Sequence, residues 1–535
     1  MYKKAVSGIM LTILFVCLLS VALNIQPVKS EPRTIIVPDD YPTIQEAINH
    51  ANPGDIIYVK AGTYHENILV YKAVSLIGED NNNTIIDGRN LGKTVHVTAN
   101  NVTLMNFKII NSKKEYTCAG IVLDGVSFCN ISLNILTNNF DGLYTENSIC
   151  NVIKNNVFLT NDWNGIHLKY CSNSNIINSN IILNCKNGIN IEVDSNNNSL
   201  LYNHIANSEW DGIDLIGSIK NVINGNTIKH CFTGIYIGSK TDNMNIIYHN
   251  NFICNTYQVT CYSAPNFWDD GYPSGGNYWS DYAGVDLYSG PYQNVTGSDG
   301  IGDTPYIIDE YNVDNYPLMA PFSSYTITWN GETYPIDFVT NSTILNLSFD
   351  GVEKSLRFDV MGPANTLGMC RVTIPKSLMR PSTWEKWQIT VDDSPPLSTN
   401  IIEDMENTYL YFTYTHSTHK VEIRIVSEKT LLGRGWGWMR IAPKQYVRGS
   451  AKLYKIEENQ IELTITHQGK EYSKTWKIIW HKEYRNHELY LCYSPKNGPL
   501  IVMLQKTRWK LWLAIGKNTI AYGFPRFQRP RLMRT

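Results

Sequence analysis

Up to about residue 320, apolar and polar residues alternate in short runs. Gly165-Ile166-His167-Leu168 and Gly188-Ile189-Asn190-Ile191-Glu192-Val193 are examples, and their period of two belongs to strands. A Gly followed by an apolar residue recurs at Gly120, Gly142, Gly165, Gly188, Gly212 and Gly234, at spacings of 22, 23, 23, 24 and 22 residues. Eight or nine residues ahead of the last five stands an Asn before a β-former: Asn134-Ile135, Asn156-Val157, Asn180-Ile181, Asn203-His204-Ile205 and Asn226-Thr227-Ile228. No copy holds a helix-length stripe. About 23 residues with three short strands and Asn/Gly/Asp turns make one coil of a parallel β-helix, and five consecutive coils are counted. Stacking at about 4.8 Å turns equivalent positions into ladders. Asn suits them because it tolerates left-handed turns and its amide can hydrogen-bond the same amide one coil on.

An open stack of strands must be capped. Thr43-Ile44-Gln45-Glu46 fits the S/T-x-x-E capping box, Ile44, Ala47, Ile48 and Ala51 share one helical face, and Pro53-Gly54 stops the helix. Beyond the coils, residues 325–426 show longer alternating strands of the kind that build a β-sandwich. The last part is strand-like and dense in Trp436, Trp438, Trp476, Trp480, Trp509 and Trp512, which form either a basic aromatic surface or a core. The expected fold is all-β, with a right-handed three-stranded parallel β-helix over residues 31–322, a β-sandwich over 325–426 and a small C-terminal β module over 427–535.

Met1-Tyr2-Lys3-Lys4, the apolar run 5–25 and Val28-Lys29-Ser30 make residues 1–30 a secretory signal, or an uncleaved N-terminal anchor. Export to a secreted, cell-surface or periplasmic location follows, which disfavours nucleic acid as a partner and leaves membrane contact to an uncleaved N-terminal segment. Sequons at Asn82, Asn101, Asn130, Asn197, Asn294, Asn341 and Asn346 permit glycosylation. The whole chain is near neutral at −2, but from Ser427 onward it holds 21 Lys and Arg against 7 Glu and no Asp, an excess of +14 that leaves −16 on the rest. That asymmetry points to an acidic partner for the C-terminal module, or to a solvated basic surface.

Tyr41-Pro42-Thr43-Ile44-Gln45-Glu46-Ala47-Ile48, Pro53-Gly54-Asp55 and Gly62-Thr63-Tyr64-His65-Glu66-Asn67 resemble the opening of pectin-lyase-like β-helix proteins. Asn266-Phe267-Trp268-Asp269, Gly276-Asn277-Tyr278-Trp279-Ser280-Asp281-Tyr282, Asp299-Gly300-Ile301-Gly302-Asp303-Thr304-Pro305-Tyr306 and Asn315-Tyr316-Pro317-Leu318-Met319 resemble the tail of the NosD group. The resemblance implies the fold. For activity it implies either copper binding in metallo-enzyme maturation or the glycan binding, hydrolysis or elimination common among secreted β-helix proteins. Arg371-Val372-Thr373-Ile374-Pro375-Lys376-Ser377-Leu378 and the run 409–419 resemble an accessory domain of secreted archaeal surface proteins.

Two positions after each Gly, an outward column Tyr144, His167, Asn190, Asp214, Tyr236 is expected, and two before it stand Phe140, Trp163, Lys186, Trp210 and Phe232. Rings stack on sugar C–H faces and polar groups read hydroxyls, so Trp163, Trp210, Tyr144, Asn190 and Tyr236, with Asp141, Asn164 and Asp211, are candidates for a groove binding polysaccharide or cell-envelope glycan. The pre-Gly aromatics can equally be turn or core residues. Catalysis, as a polysaccharide hydrolase or lyase, has weak candidates in Glu192, Asp214 and His167, of which Glu192 and Asp214 stand at a separation suited to an inverting carboxylate pair. Copper would need soft ligands. Cys129, Cys150 and Cys171, and Cys185, Cys231 and Cys254, recur at coil-like spacings as ladders that bind Cu(I), pair as disulfides or simply fill the core. Asp281, Asp286, Asp299 and Asp303 are weak calcium candidates, or turn residues. The cofactors these residues admit are Ca²⁺ and copper.

Overall fold

A computed structural model describes residues 31–524 except 240, 263, 264, 383, 384, 428, 443, 444, 457–459, 506–511, 517 and 518. The signal or anchor at 1–30 and Trp509 lie outside the described residues. The described residues are all-β apart from one short helix.

Three parallel sheets of ten, ten and nine strands wrap the first unit, and each coil contributes one strand to each sheet. The coil Val152–Lys154, Val157–Leu159, Asn164–Lys169 is typical. Nine strands in the third sheet exceed the five coils counted from the Gly repeat: six carry a repeat Gly, and the strands Ile68–Val70, Val95–Val97 and Tyr257–Cys261 carry none. Inward positions stack like on like. Ile57, Leu76, Leu104, Ile131, Ile153 and Ile177 follow one another in register, each wholly buried. Gly at the repeat position makes room for the coil behind it: a Cβ on Gly188 would stand 2.4 Å from the Gly212 carbonyl oxygen and 2.4 Å from Ile205 Cγ2.

The Asn ladder lies inside. Asn134, Asn156, Asn180, Asn203, Asn226 and Asn250 are buried, and each Nδ2 donates to the Oδ1 of the next at 2.9–3.1 Å. The left-handed residue is the one before: Leu133, Asn155, Ser179, Tyr202, Gly225 and His249 have φ between 54° and 69°. The ladder Asn is kept for its amide, which would be costly to bury unpaired.

Both ends are closed. The helix Ile44–His50 starts where Thr43 Oγ1 accepts the Glu46 N–H at 3.1 Å, and the remaining N-terminal amides, Ile44 and Gln45, donate to the carboxylate of Glu66 at 3.0 Å each. Ile44, Ala47 and Ile48 bury against the first strands. At the other end Trp279 stacks between Phe252 and Tyr306 at 4.3 Å from each, and Trp268 is buried beside it.

Further on, antiparallel strands form a five-stranded sheet and a four-stranded sheet. The segment Leu367–Pro375 pairs with Asn407–Thr415, and the Arg371 guanidinium lies 4.7 Å from the Tyr409 ring centre. Eight strands from Lys429–Ala442 to Thr519–Phe524 then close an antiparallel barrel. Its tryptophans divide: Trp476 is core at 1% exposure, whereas Trp436 and Trp480 are exposed.

Candidate functional site

The nine-stranded sheet carries the outward column, and the pre-Gly column stands one residue ahead of its strands. Val122, Tyr144, His167, Asn190, Asp214 and Tyr236 are direct partners on successive strands. Their neighbours Leu143, Ile166, Ile189, Ile213 and Ile235 are core, so alternation turns this column to the outer face. That face is closed by its own side chains. Tyr144 is 0% exposed, His167 2%, Asp214 6% and Asn190 7%, leaving only Tyr236 half-buried. Tyr144 clusters with Ala119 and Val122 and meets the His167 ring edge-on at 5.1 Å. Tyr116, from the loop before the strand Ala119–Asp124, hydrogen-bonds Lys169. Tyr144 and Asn190 are therefore shut away from a ligand, against the expectation from alternation alone, because large residues on adjacent coils cover one another.

His167 is the centre of this closed face. Its Nδ1 lies 3.1 Å from Asp141 Oδ2 and its Nε2 2.7 Å from Glu192 Oε1, and Lys169 Nζ reaches the same Glu192 oxygen at 2.7 Å. With a carboxylate at each nitrogen, both ring nitrogens donate and the ring is an imidazolium. Burial opposes that charge, but the bonds to Asp141 and Glu192 outweigh it and raise the pKa to about 9. Burial alone would raise Glu192, yet His167 and Lys169 draw it down to about 2. Asp141 Oδ1 accepts the backbone N–H and side-chain amide of Asn164 at 2.9 Å each. Asp141 and Asn164 are thus internal fittings of the coil, which corrects their placement in a glycan groove. One coil beyond Asn190, Asp214 has no ion partner: burial lifts it to about 8, helped by the Asp211 and Glu192 carboxylates. Among the described residues its Oδ1 and that of Asn190 have no hydrogen-bond partner. The three catalytic candidates therefore part company, with Glu192 and His167 bonded to each other and Asp214 separate.

The pre-Gly column is the open one. Phe140, Trp163, Lys186, Trp210 and Phe232 hold one position in five successive coils, a run of ~19 Å at strand spacing. Phe140 and Trp163 stack at 5.9 Å, Trp163 and Trp210 meet edge-on at 5.2 Å, and Lys186 Nζ lies over both indoles at 4.2 and 5.0 Å. Phe232 continues the row onto Tyr257 at 5.4 Å. Trp210 is 40% and Phe232 53% exposed. Reading the sequence missed the part played by Lys186 and Lys169. Lys186 was legible as the one cation in an aromatic column, and Lys169 as the residue two after His167 on the same face.

The tail aspartates are occupied by backbone amides. Asp286 accepts the N–H groups of Asp299 and Gly300 at 3.0 and 2.8 Å, Asp303 those of Leu287 and Tyr288 at 3.0 and 3.1 Å, and Asp299 that of Ile301 at 3.0 Å. Asp281 accepts from Tyr306 and Gln258. They close loops. The cysteines do not form the expected ladders. Cys129 points inward, Cys150 occupies a left-handed turn two residues before Val152, and Cys171 is exposed. Cys185 and Cys231 share an inward position but are separated by the Ser208 coil, and Cys254 is one residue out of phase. Spacings of 21 residues fall short of the 22–24-residue coil, so the first set drifts around it. Among the described residues no group of three or more His, Cys, Asp or Glu is placed to hold a metal ion.

Residues 48–284 match the family described as "Periplasmic copper-binding protein (NosD)". A 132-residue stretch, 24% of the chain, is 33% identical to a cell surface glycoprotein of Methanothermus fervidus, of which the chain spans about a fifth (21%). Among solved structures, the A-module of a mannuronan C-5 epimerase from Azotobacter vinelandii is similar at 14% identity and a TM-score of 0.31, over 42% of this chain and 75% of that one. An alginate lyase from Paenibacillus sp. is similar at 14% identity and 0.29, over 46% and 97%. Among the described residues the thiols and imidazoles do not converge as soft-metal ligands must, so those residues do not fit a copper centre. The match over residues 48–284 falls within the stacked coils of the parallel β-helix, and the first unit is similar there to the NosD family.

Proposed function

We propose that this is a secreted or cell-surface β-helix protein that binds polysaccharide or cell-envelope glycan along the column Phe140, Trp163, Lys186, Trp210, Phe232, with Tyr236 beside it, and does not cleave what it binds. The observation that carries the reading is the open run of rings with a cation between two indoles. Half-exposed rings spaced by the coil can stack on successive sugars, and Lys186 would favour an anionic or hydroxyl-rich chain. The similarity to a cell surface glycoprotein supports the location.

Against cleavage stand the closed face and the state of its groups. His167 is held as an imidazolium between two carboxylates, and Glu192 is spent on His167 and Lys169. A hydrolase or lyase reading rests on the unpartnered oxygens of Asp214 and Asn190, and it requires that face to open. A panel of neutral and uronic-acid polysaccharides tests the two together. Retardation of the full chain in gels containing one of them, with no reducing ends or unsaturated products released, is the expected result. Product release that is lost in Asp214→Asn would replace binding by catalysis, and no retardation by any polymer would refute the proposal.

A further inference from the structure

The outer wall of the C-terminal barrel offers a surface that glycan binding does not use. Cys492, Leu500, Val502, Ala514 and Ala521 fill the interior, so their neighbours along each strand face out. Across six adjoining strands Trp480, Leu491, Ile501, Ile515, Ile520 and Trp438 lie in register. A second row holds Leu489, Met503 and Leu513, with Trp436 further round. Trp436 is 60% exposed, Ile501 49%, Ile515 47%, Trp480 43% and Met503 40%. Apolar rows of this extent mark an interaction surface. Cations frame it: Arg448 pairs with Trp438 at one end, and at the other Lys482 pairs with Leu489 and Lys477 with Tyr493.

We propose that this wall docks on an anionic lipid surface, with the tryptophans in the headgroup layer and Lys477, Lys482 and Arg448 over the phosphates. Aromatic and aliphatic residues ringed by cations match an anionic membrane surface. The excess of +14 charges from Ser427 onward supplies the complementarity, and the same excess on both molecules disfavours a second copy as the occupant. The aliphatic rows offer no groups to read sugar hydroxyls, which disfavours a glycan. The interior is packed with Leu, Ile and Trp476, and the wall beyond turns the polar Ser450 and Lys452 outward, so the barrel lies on a membrane rather than spanning it. Sequence alone placed membrane contact at the N-terminal segment only; this is a separate contact.

The test is sedimentation of the full chain with phosphatidylcholine vesicles, with and without phosphatidylglycerol. Binding should need the anionic lipid and blue-shift the tryptophan emission. The outward substitutions Ile501→Glu with Ile515→Glu should abolish it. Lys477→Glu with Lys482→Glu, which leaves the apolar rows intact and guards against misfolding of the first variant, should weaken it by at least about tenfold. Equal binding to both vesicle types, unchanged binding by either variant, or no binding to anionic vesicles would overturn the proposal, as would capture by an anionic polysaccharide alone.

Discussion

Asp314 accepts the backbone N–H of Asn277 at 2.8 Å, and so terminates the buried amide ladder that runs through the β-helix. Each ladder Asn donates onward, and Asn250 passes its Nδ2–H to Asn277 Oδ1 at 3.0 Å. A chain of donors aimed one way needs an acceptor at its end. The carboxylate supplies it and at the same time takes the Trp279 indole N–H at 2.9 Å and the Tyr316 N–H at 3.1 Å. The tail motif is in this sense the plug of the coil stack.

Asp314→Ala should therefore loosen the last coils. It leaves the Asn277 amide and the Trp279 indole without an acceptor in a wholly buried site, at a cost of about 1–3 kcal/mol for each unsatisfied group. A lower thermal midpoint, with earlier exposure of Trp268 and Trp279 in fluorescence, is the expected result.

Gly188→Ala should destabilise by about 1–3 kcal/mol through overpacking, because the new methyl meets backbone as well as the Ile205 side chain. Gly125→Ala is a control for crowding, since nothing lies within 4 Å of a Cβ there and only its left-handed φ of 62° opposes the change. Chemical denaturation should show the larger loss at Gly188.

The closed face should make stability fall as pH rises. Asp214, with a folded pKa of about 8, binds a proton in the native state that the unfolded chain releases near pH 4, so raising the pH from about 4 to about 8 costs stability. His167 is raised to about 9, and its contribution is full below about pH 6.5 and lost as pH climbs through about 9. Glu192, lowered to about 2, acts above about pH 4.5 and is lost on acidification through about 2. From these three groups thermal midpoints should peak near pH 4–4.5 and fall above it, more steeply above about 6.5, and Asp214→Asn should raise the midpoint at pH 7.5 while changing it little at pH 4.

Chelation should leave the tail intact. Asp286 and Asp303 spend both oxygens on backbone N–H groups, and Asp299 accepts the Ile301 N–H and the Gln293 side-chain amide, so EDTA should not shift the thermal midpoint and added Ca²⁺ should not raise it. A rise of several degrees with calcium would contradict this account of the loops.

Much of the fold was legible because a stacked coil repeats its constraints: Gly188 and its equivalents mark a tight approach, and Asn180 and its equivalents mark a buried amide. The helix cap was legible for a local reason, although Glu66, from the connection between the strands Gly62–Tyr64 and Ile68–Val70, and not Glu46, completes it. Side-chain direction in the outward column was also legible, but exposure was not. Whether Tyr144 and Asn190 see solvent depends on the bulk of side chains on adjacent coils and on Tyr116 from a loop of irregular length. The thiol spacings misled because 21 residues fall short of the coil, so a fixed interval is not a fixed phase.

The most direct test is the affinity of the full chain and of Trp163→Ala with Trp210→Ala for a polysaccharide that retards the parent. Both rings are on the surface, so the double variant should fold with an unchanged thermal midpoint apart from the loss of ring contacts. The account predicts binding weakened by at least about tenfold, two rings at ~1 kcal/mol or more each. Undiminished binding by a folded double variant would contradict it.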